Sequence, residues 1–422
     1  MRINSFELVN FRGIKKMQLD FTASTSALVG INGVGKSSVL DALAIALSNL
    51  TARINGQAAK ARKMSPDDIR EGTDYARLSV AAELEAALPA TWAIALNRKE
   101  GKHPPERSSD LEALKGQATL LEMRLTHREA DKQPIDLPLA VYYDVHRAVL
   151  DVPLRVRETL KNSPREAYND ALGHGGTDFR GFFTWFRNRE DDENETVRDT
   201  PAYRDRDLTA VRSAIEQFTQ FTDLRIRRKP ALRMTVKKAG TELNVLQLSD
   251  GEKCMLALVG DLARRLSLLN TERADPLQGE GVVLIDEIDL HLHPRWQRTV
   301  MASLERTFPN CQFIVTTHSP QVVGELPPES VMLLKDGAYI GHPERSLGLD
   351  SGDVLEEMME GLARNASVNT ELTAIRRAIE DEELTQAKAL LDSLRQRVGD
   401  IPDVLEAQSA LDSLRWLEEA GE

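Results

Sequence analysis

The stretch from Gly30 to Ser38 has the residue types and the spacing that bind a chain of phosphates. It satisfies the P-loop pattern G-x-x-x-x-G-K-[S/T], follows an apolar run at 27–29, and precedes helix formers at 39–47. Glycines let the backbone N–H groups point at phosphates, and a helix N-terminus adds positive potential. We expect Lys36 to reach the β- and γ-phosphates and Ser37 to hold Mg²⁺. The residues expected to bind the nucleotide are Asn32, Gly33, Gly35, Lys36, Ser37 and Ser38.

A second motif supplies the carboxylates that such a loop needs. The apolar run Val282–Ile285 ends in Asp286 and Glu287, as expected of a buried parallel strand whose carboxyl end faces a ligand. We expect Asp286 to hold Mg²⁺ through water and Glu287 to polarise the attacking water, because phosphoryl transfer depends on positioning and charge neutralisation. Taken singly, each motif could be structural, as a glycine turn or as acids that cap a strand. Together they predict nucleotide hydrolysis.

Two shorter sequence features are weaker evidence for a nucleotide site when each is taken alone. Ser249 is a good N-cap for the helix predicted from Cys254 to Leu269, and Glu252 stands three residues later. With Gly251, this helix N-terminus could bind an anion or be merely structural. A single His318 follows the strand predicted at 313–316.

Composition limits the class of protein. The chain has 422 residues, 41% of them hydrophobic and 28% charged, as expected of a soluble protein with two or three domains. No apolar run approaches the ~20 residues of a membrane helix, so we expect no membrane contact. With only Cys254 and Cys311, a disulfide framework is excluded, and we expect a cytoplasmic location.

The net charge of −12 argues against a protein that coats nucleic acid with its whole surface. A local basic groove could include Arg225–Lys229 and Lys237–Lys238, although a solvated strand edge is the preferred interpretation.

Periodicity predicts strands in the first half of the chain and helices at its end. Residues 97–118 are expected to be a loop or insertion, residues 150–222 to be helical, and residues 294–307 to form one helix. The aromatic residues at 179–186 are expected in the core and the acidic run 187–195 on an exposed surface. The predicted strands are two within residues 1–22, then 76–84, 139–143, several within 224–247, 282–285, 313–316, 331–334 and 338–340.

The order of Gly30–Ser37, Leu248–Glu252, Val282–Glu287 and His318 resembles that of an ABC-type ATPase. The opening Phe6–Gly13 resembles SMC/RecF-like members. Glu287–Gln297 and Thr316–Pro320 resemble compact anti-phage and overcoming-lysogenisation-type ATPases, in particular the ATPase subunit of Septu and some retron systems. The resemblance implies an α/β fold: an ABC-type P-loop ATPase head with a mixed sheet and a helical insert, plus a C-terminal all-α domain. The expected boundaries are 1–345 for the ATPase domain, with the insert at about 150–222, and 346–422 for a partner-docking domain.

The family further implies a head-to-tail dimer, or a higher even oligomer, with two ATP molecules between protomers. Ser249 and Gly251 would contact the γ-phosphate bound by the partner's P-loop, and His318 would sense it. Arg12 would approach the phosphates, and Asp289 would lie in the loop that joins the two sites. His291 and His293 could suggest a metal site, but packing of that loop is preferred.

One departure from the family concerns the loop after the strand 139–143, where a glutamine usually reaches Mg²⁺. Here the sequence continues with Asp144-Val145-His146-Arg147. Either Asp144 or His146 takes that place, or the metal is held without such a ligand.

The favoured function is an ATP-dependent sensor that regulates a separate HNH-type nuclease in bacterial anti-phage defence. No nuclease pattern is present in the chain itself. Alternatives are a DNA-repair clamp that binds duplex DNA directly, and a scaffold that binds ATP but hardly hydrolyses it.

Overall fold

The computed structural model describes residues 1–84, 89–131, 134–145, 163–173, 179–359, 361 and 365–421. It divides into two compact units, Met1–Leu349 and Asp350–Glu422. Among the described residues, none of the helices is long and apolar enough to cross a membrane.

The first unit is built around a six-stranded mixed sheet with the order β13-β12-β3-β11-β10-β6. Every pair is parallel except β12–β13. All residues of β3, β6, β10 and β11 are buried, which is why β6 and β10 are continuous apolar runs and β3 and β11 contain apolar runs at 27–29 and 313–315. The strands are β3 Thr25–Val29, β6 Leu139–Tyr143, β10 Gly281–Ile285, β11 Cys311–Thr316, β12 Val331–Lys335 and β13 Ala338–Gly341.

The other strands of this unit form two antiparallel sheets. One has the order β2-β1-β4-β5, and the other has the order β7-β8-β9. In β4 buried and half-buried residues alternate along the strand, as in a sheet with one face on the core. The strands are β1 Arg2–Phe11, β2 Ile14–Asp20, β4 Tyr75–Glu83, β5 Pro89–Asn97, β7 Thr222–Arg227, β8 Arg233–Lys238 and β9 Thr241–Asn244. The strands predicted within 1–22, 76–84 and 224–247 are confirmed.

Eight helices belong to the described part of the first unit. The longest buried ones are α1, which follows the P-loop, and α5, which is buried along nearly its whole length. The helices are α1 Lys36–Ile54, α2 Glu112–Asp131, α3 Phe179–Asp199, α4 Arg206–Thr219, α5 Asp250–Leu269, α6 Pro294–Gln297, α7 Val300–Thr307 and α8 Pro320–Val323.

Three sequence predictions are wrong in part. The expected loop at 97–118 contains the start of α2, whose Leu114, Ala118 and Leu121 are buried although the segment is polar overall. The helix expected at 294–307 is interrupted at residues 298–299 and therefore forms two helices, α6 and α7. At the interruption the Thr299 hydroxyl donates a hydrogen bond to the Trp296 carbonyl. Within residues 150–222, which are expected to be helical, residues 150–162 lie outside the described residues, and 163–172 form a 3₁₀ turn and further turns.

The aromatic residues at 179–186 are confirmed as core. Phe182 lies against Gly260 of α5, where an added Cβ would stand 2.9 Å from the phenyl ring, so a glycine is required for this approach. The acidic run that follows is not wholly exposed, because Glu190 and Glu193 are buried and both pair with Arg212 of α4. The aromatic side chains of α3 therefore pack against α5, whereas its buried acids face α4.

The second unit is helical, as predicted. Its core is formed by α10, α11 and α12, through residues such as Ile375, Leu391 and Leu411. The helices are α9 Ser351–Met358, α10 Ala366–Glu380, α11 Leu384–Val398 and α12 Pro402–Gly421.

A fully buried cluster of charges fixes α5 in the first unit. Asp261 accepts hydrogen bonds from Arg264 at 2.8 Å, from Arg265 at 2.7 Å and from the Tyr143 hydroxyl at 3.1 Å. Arg265 also donates to the carbonyls of Ala167 and Asn169. Burial alone would raise the pKa of Asp261, but the two arginines outweigh it and the pKa is lowered. The cluster ties α5 to strand β6 and to the 163–173 segment.

Asp261→Ala is expected to lower the free energy of unfolding by about 3–5 kcal/mol, because it leaves two buried arginines without their shared carboxylate. Urea unfolding followed by circular dichroism measures the loss. Glu325→Ala, which breaks the exposed ion pair with Arg298, is the matched control and should cost about 1 kcal/mol or less. Equal effects of the two variants would contradict this role of Asp261.

Candidate functional site

The loop between β3 and α1 has the backbone that the glycine spacing predicts. Gly33 and Gly35 have φ values of 85° and 101°, which residues with a Cβ rarely adopt. At Gly30 an added Cβ would stand 2.3 Å from the carbonyl oxygen of Leu334 in β12. The loop can therefore curl tightly only with glycine at these positions, and it leads directly into the N-terminus of α1.

Lys36 is almost completely buried at the start of α1. Its Nζ donates to the carbonyls of Gly30 at 2.7 Å and Ile31 at 2.9 Å. Burial lowers the pKa of Lys36 to about 8, although Asp286, Glu287 and Asp289 favour its charged form. An anion bound in the loop would add a further negative charge near the ammonium and so reduce the free-energy cost of burying it.

Ser37, Asp286 and Thr316 form the centre of the site. Asp286 Oδ1 accepts a hydrogen bond from Ser37 Oγ at 3.1 Å and from Thr316 Oγ1 at 2.5 Å. The Thr316 hydroxyl in turn accepts the backbone N–H of Glu287 at 2.7 Å. β11 lies between β3 and β10, so Thr316 at its end stands between the P-loop and the two acids.

Sequence reasoning gave Thr316 no role in the site. The sequence feature that could have indicated a role for Thr316 is its position at the end of a buried parallel strand, two residues before His318.

The oxygen atoms of Ser37 and Asp286 suit Mg²⁺. Within the described residues, no three His, Cys, Asp or Glu side chains cluster as a metal site. Mg²⁺ is usually held by one or two protein oxygens together with phosphates and waters, so one hydroxyl and one carboxylate fit this ion when a nucleotide is bound.

Asp289 organises the segment that carries His318. Its carboxylate accepts the Thr317 hydroxyl at 2.6 Å and the His318 backbone N–H at 3.3 Å. The pKa of His318 is lowered, first by burial and then by Lys36, although Asp289, Glu287 and Asp286 act in the opposite direction. The hydrogen bonds thus connect the loop after Glu287 with the loop after β11.

Ser249 lies on the surface at the N-terminus of α5. Its hydroxyl accepts the Glu252 backbone N–H at 3.4 Å, and the Glu252 carboxylate accepts the Ser249 backbone N–H at 2.9 Å, so the predicted capping box is confirmed. Gly251 faces the chain after Glu287: an added Cβ would stand 2.4 Å from the carbonyl oxygen of His291. Ser249 is therefore held at the surface, beside the loop that contains Asp289.

His291 and His293 have exposed side chains. His291 has a φ of 63°, and His293 Nδ1 accepts the backbone N–H of Arg295 at 3.3 Å, capping α6.

Arg12 lies beside α1. Its guanidinium pairs with Asp41 of α1 at 2.7 Å and with Asp68 at 2.9 Å. Burial opposes the charge of Arg12, but these two carboxylates outweigh it, and the pKa of Arg12 lies above its ordinary value. In this structure Arg12 is engaged by acids, and its approach to phosphates stays a prediction.

Asp144, one of the two candidates for the missing glutamine, is buried at the end of β6. The backbone N–H of Asp286 donates to the carbonyl of Tyr143, so Asp144 begins the loop next to the acids of β10. His146 lies outside the described residues.

Thr316→Val is expected to lower kcat for ATP hydrolysis roughly ten- to hundred-fold, because Asp286 and the Glu287 N–H lose a shared hydroxyl. Steady-state kinetics measures the change. Thr307→Val, which removes a buried hydroxyl that bonds only within its own helix, should leave kcat unchanged. A wild-type rate for Thr316→Val would contradict this role.

Nucleotide binding near pH 8.5 is expected to take up a proton at Lys36. The free protein has a depressed pKa of about 8, so Lys36 is largely neutral there, and the phosphates favour its charged form. At pH 7 Lys36 is already charged and adds little uptake. Calorimetry in buffers of different ionisation enthalpy measures the uptake. Lys36→Arg, whose guanidinium stays charged, should abolish it, and equal uptake by both proteins would refute the assignment.

Two family models match the chain. Residues 97–324 match the "AAA domain, putative AbiEii toxin, Type IV TA system" and residues 1–138 match the "AAA ATPase domain". Among solved structures, an SMC head bound to the C-winged helix domain of ScpA covers 80% of this chain and 96% of that chain. Its sequence identity is 16% and its TM-score 0.46, too distant a likeness to inform the site.

Three relatives are similar in sequence. The "Retron Ec83 probable ATPase" of Escherichia coli is 30% identical over 423 aligned positions, covering 85% of this chain and 76% of that protein. The "Retron Vc95 probable ATPase" of Vibrio cholerae serotype O1 biovar El Tor is 30% identical over 80% of this chain and 74% of that protein. The "Septu protein PtuA" of Bacillus mycoides (strain KBAB4) is 27% identical over 75% of this chain and 38% of that protein.

These matches confirm the resemblance to retron and Septu ATPases that the motifs indicated. One family model covers more than half of the chain, and a retron ATPase is 30% identical over most of both lengths. The chain is therefore an ATPase that carries an AAA domain and belongs to the family of the retron ATPases.

Proposed function

We propose that this ATPase closes as a head-to-tail dimer around two ATP molecules and thereby regulates a separate nuclease in bacterial anti-phage defence. One observation supports the dimer: Ser37, Asp286 and Thr316 are joined by hydrogen bonds beside the P-loop, whereas Ser249 is exposed at the N-terminus of α5 and its hydroxyl bonds only to Glu252 of its own helix among the described residues. A second copy of the chain would bring its own Ser249 and Gly251 to the phosphates on this P-loop.

Each side chain of the network has a role in this proposal. Lys36 binds the β- and γ-phosphates, and Ser37 and Asp286 hold Mg²⁺, which neutralises phosphate charge when bound. Glu287, whose N–H is fixed by Thr316, orients the attacking water, and His318 contacts the γ-phosphate. Asn32, Gly33, Gly35 and Ser38 offer the loop backbone and the start of α1 to the phosphates. Asp144 takes the place of the family's glutamine beside Asp286.

The role in defence is supported by the relatives, which are named as retron and Septu proteins. We assign residues 346–422 to docking of an HNH-type nuclease. α12 presents Leu405 and Trp416, whose side chains are 49% and 67% exposed, on its surface. Exposed large apolar residues of this kind suit a protein partner.

A clamp on duplex DNA is less well supported. In a clamp, the basic side chains of β7 and β8 would have to contact phosphates. Instead, Arg225 of β7 pairs with Asp223, and Arg227 of β7 pairs with Glu242 at 2.6 Å. Lys237 of β8 also pairs with Asp223, at 3.0 Å. These ion pairs leave less net positive charge for a nucleic acid than the sequence suggests.

Mixing two inactive variants tests whether the site is shared between protomers. Lys36→Ala removes the P-loop lysine, and Ser249→Gly removes the hydroxyl while glycine remains an acceptable N-cap. In a head-to-tail dimer each mixed dimer has one intact site, so the mixture should recover about a quarter of the wild-type ATPase rate. If Ser249 served the P-loop of its own chain, no activity would return.

Glu287→Gln should bind ATP without hydrolysing it and accumulate the closed dimer. Size-exclusion chromatography with light scattering should show twice the mass with ATP and Mg²⁺, and Lys36→Ala is the control that should not shift. An unchanged mass for Glu287→Gln would overturn the dimer.

The partner is tested by co-expression with the neighbouring reading frames. A nuclease should co-purify with the wild type and fail to do so with Leu405→Ala/Trp416→Ala, while ATPase activity stays unchanged. Fluorescence anisotropy of the isolated ATPase with duplex DNA tests the clamp. Salt-dependent DNA binding without any co-purifying nuclease would favour the clamp over the regulator.

A further inference from the structure

A cavity of about 700 Å³ opens beside the start of α5, apart from the P-loop. Its walls come from the end of α4, the turn between β8 and β9, and helices α6 and α7. This volume falls within the roughly 300–1,000 Å³ of ligand sites. The buried side chains of Met255 and Val300 add apolar surface to its lining.

The cavity combines aromatic rings with cations. Phe218 and Trp296 are half-buried, whereas Arg295 and Arg306 are exposed. Within the described part of the chain, neither guanidinium forms an ion pair, and Arg306 makes only a long contact of 3.5 Å with the Gln217 carbonyl. By contrast Arg298, in the same stretch but outside the cavity, pairs with Glu325 at 2.9 Å.

This combination matches the two halves of a nucleotide. A guanidinium binds phosphate with two parallel hydrogen bonds, and an indole offers a flat surface for a base. In a chain of net charge −12, two arginines without acidic partners in one cavity mark a place where an anion is favourable.

We propose that this cavity is a second binding site, for a nucleotide whose phosphate is held by Arg295 and Arg306 and whose base stacks on Trp296. The nucleotide can be free or can be the 5′-phosphorylated end of a single strand, because both offer the same chemistry.

Two chains of hydrogen bonds lead from the cavity to the ATPase motifs. Lys238 and Glu252, which line the cavity, pair with each other, and Glu252 also accepts the Ser249 hydroxyl. Next to Trp296, Gln297 donates to the Leu292 carbonyl at 3.0 Å and accepts the Ser319 hydroxyl at 2.8 Å. Ser319 adjoins His318. An occupant would contact Glu252, which is bonded to Ser249, and Trp296, whose neighbour in the chain is bonded to Ser319, and its coupling to the γ-phosphate rests on the proposed function.

Binding is tested with the full chain carrying Lys36→Ala, so that the P-loop lysine does not contribute. The probes are AMP, GMP, CMP, UMP, inorganic phosphate and a short 5′-phosphorylated DNA single strand, measured by calorimetry and tryptophan fluorescence. Trp296 should be quenched, since Trp92 and Trp185 are fully buried and the exposed Trp416 does not line the cavity, and Trp296→Phe should remove that signal.

Adding Arg295→Ala/Arg306→Ala should weaken binding about ten-fold or more, whereas adding Arg298→Ala should leave it unchanged. Binding of monophosphates alone identifies a free nucleotide, and binding of the strand as well identifies a strand end. Failure of every probe, or equal affinity with and without Arg295 and Arg306, would overturn the site.

The coupling has its own readout. In the chain with Lys36 intact, the probe that binds should change the ATPase rate, and Arg295→Ala/Arg306→Ala should abolish the change while keeping the basal rate. Binding without any change in rate would overturn the coupling. Because the binding assay requires neither hydrolysis nor dimerisation, its failure is distinguishable from failure of the proposed dimer.

Discussion

The hydrogen bonds that converge on Asp286 are the contacts on which the ATPase site depends. Ser37 after β3 and Thr316 at the end of β11 both donate to this one carboxylate at the end of β10. The arrangement requires β11 to lie between β3 and β10, since only then do the three carboxyl ends meet. Lys36 lies close to these carboxylates, which only partly offset the cost of burying its charge. A phosphate bound in the loop would therefore be stabilised by the Lys36 ammonium.

The same region connects the nucleotide to distant parts of the fold. Gly251 at the start of α5 lies against the His291 carbonyl, and Asp289 in that loop holds the backbone of His318. Further along α5, Asp261 joins the helix to Tyr143 of β6, the strand that leads to Asp144. Because α5 is fixed by a buried carboxylate and by close backbone packing, movement of its N-terminus is resisted by contacts on several elements. α5 is therefore held firmly along its length, from Gly251 beside the His291 carbonyl to Asp261 beside Tyr143.

The sequence predicted the strands and the Ser249 cap well, because these depend on local composition. Residues 27–29 and Gly281–Ile285 are continuous apolar runs, and Ser249 with Glu252 is a local capping pattern. The start of α2 was missed because only a few of its side chains are buried against α1. Glu190 and Glu193 were misjudged because their partner, Arg212, stands on another helix. Such errors arise where tertiary contacts override local polarity.

The sequence by itself determined that the chain binds and hydrolyses a nucleotide, because spaced glycines, Lys36 and the acids after an apolar strand define that chemistry locally. The tertiary structure alone decided how these groups meet: that Thr316 bridges Asp286 and Glu287, that Arg12 is engaged by Asp41 and Asp68, and that Arg295 and Arg306 share a cavity with Trp296. The reason is distance along the chain. Local pattern specifies an element and its ends, but hydrogen bonds and ion pairs between remote segments exist only once the sheet order brings them together.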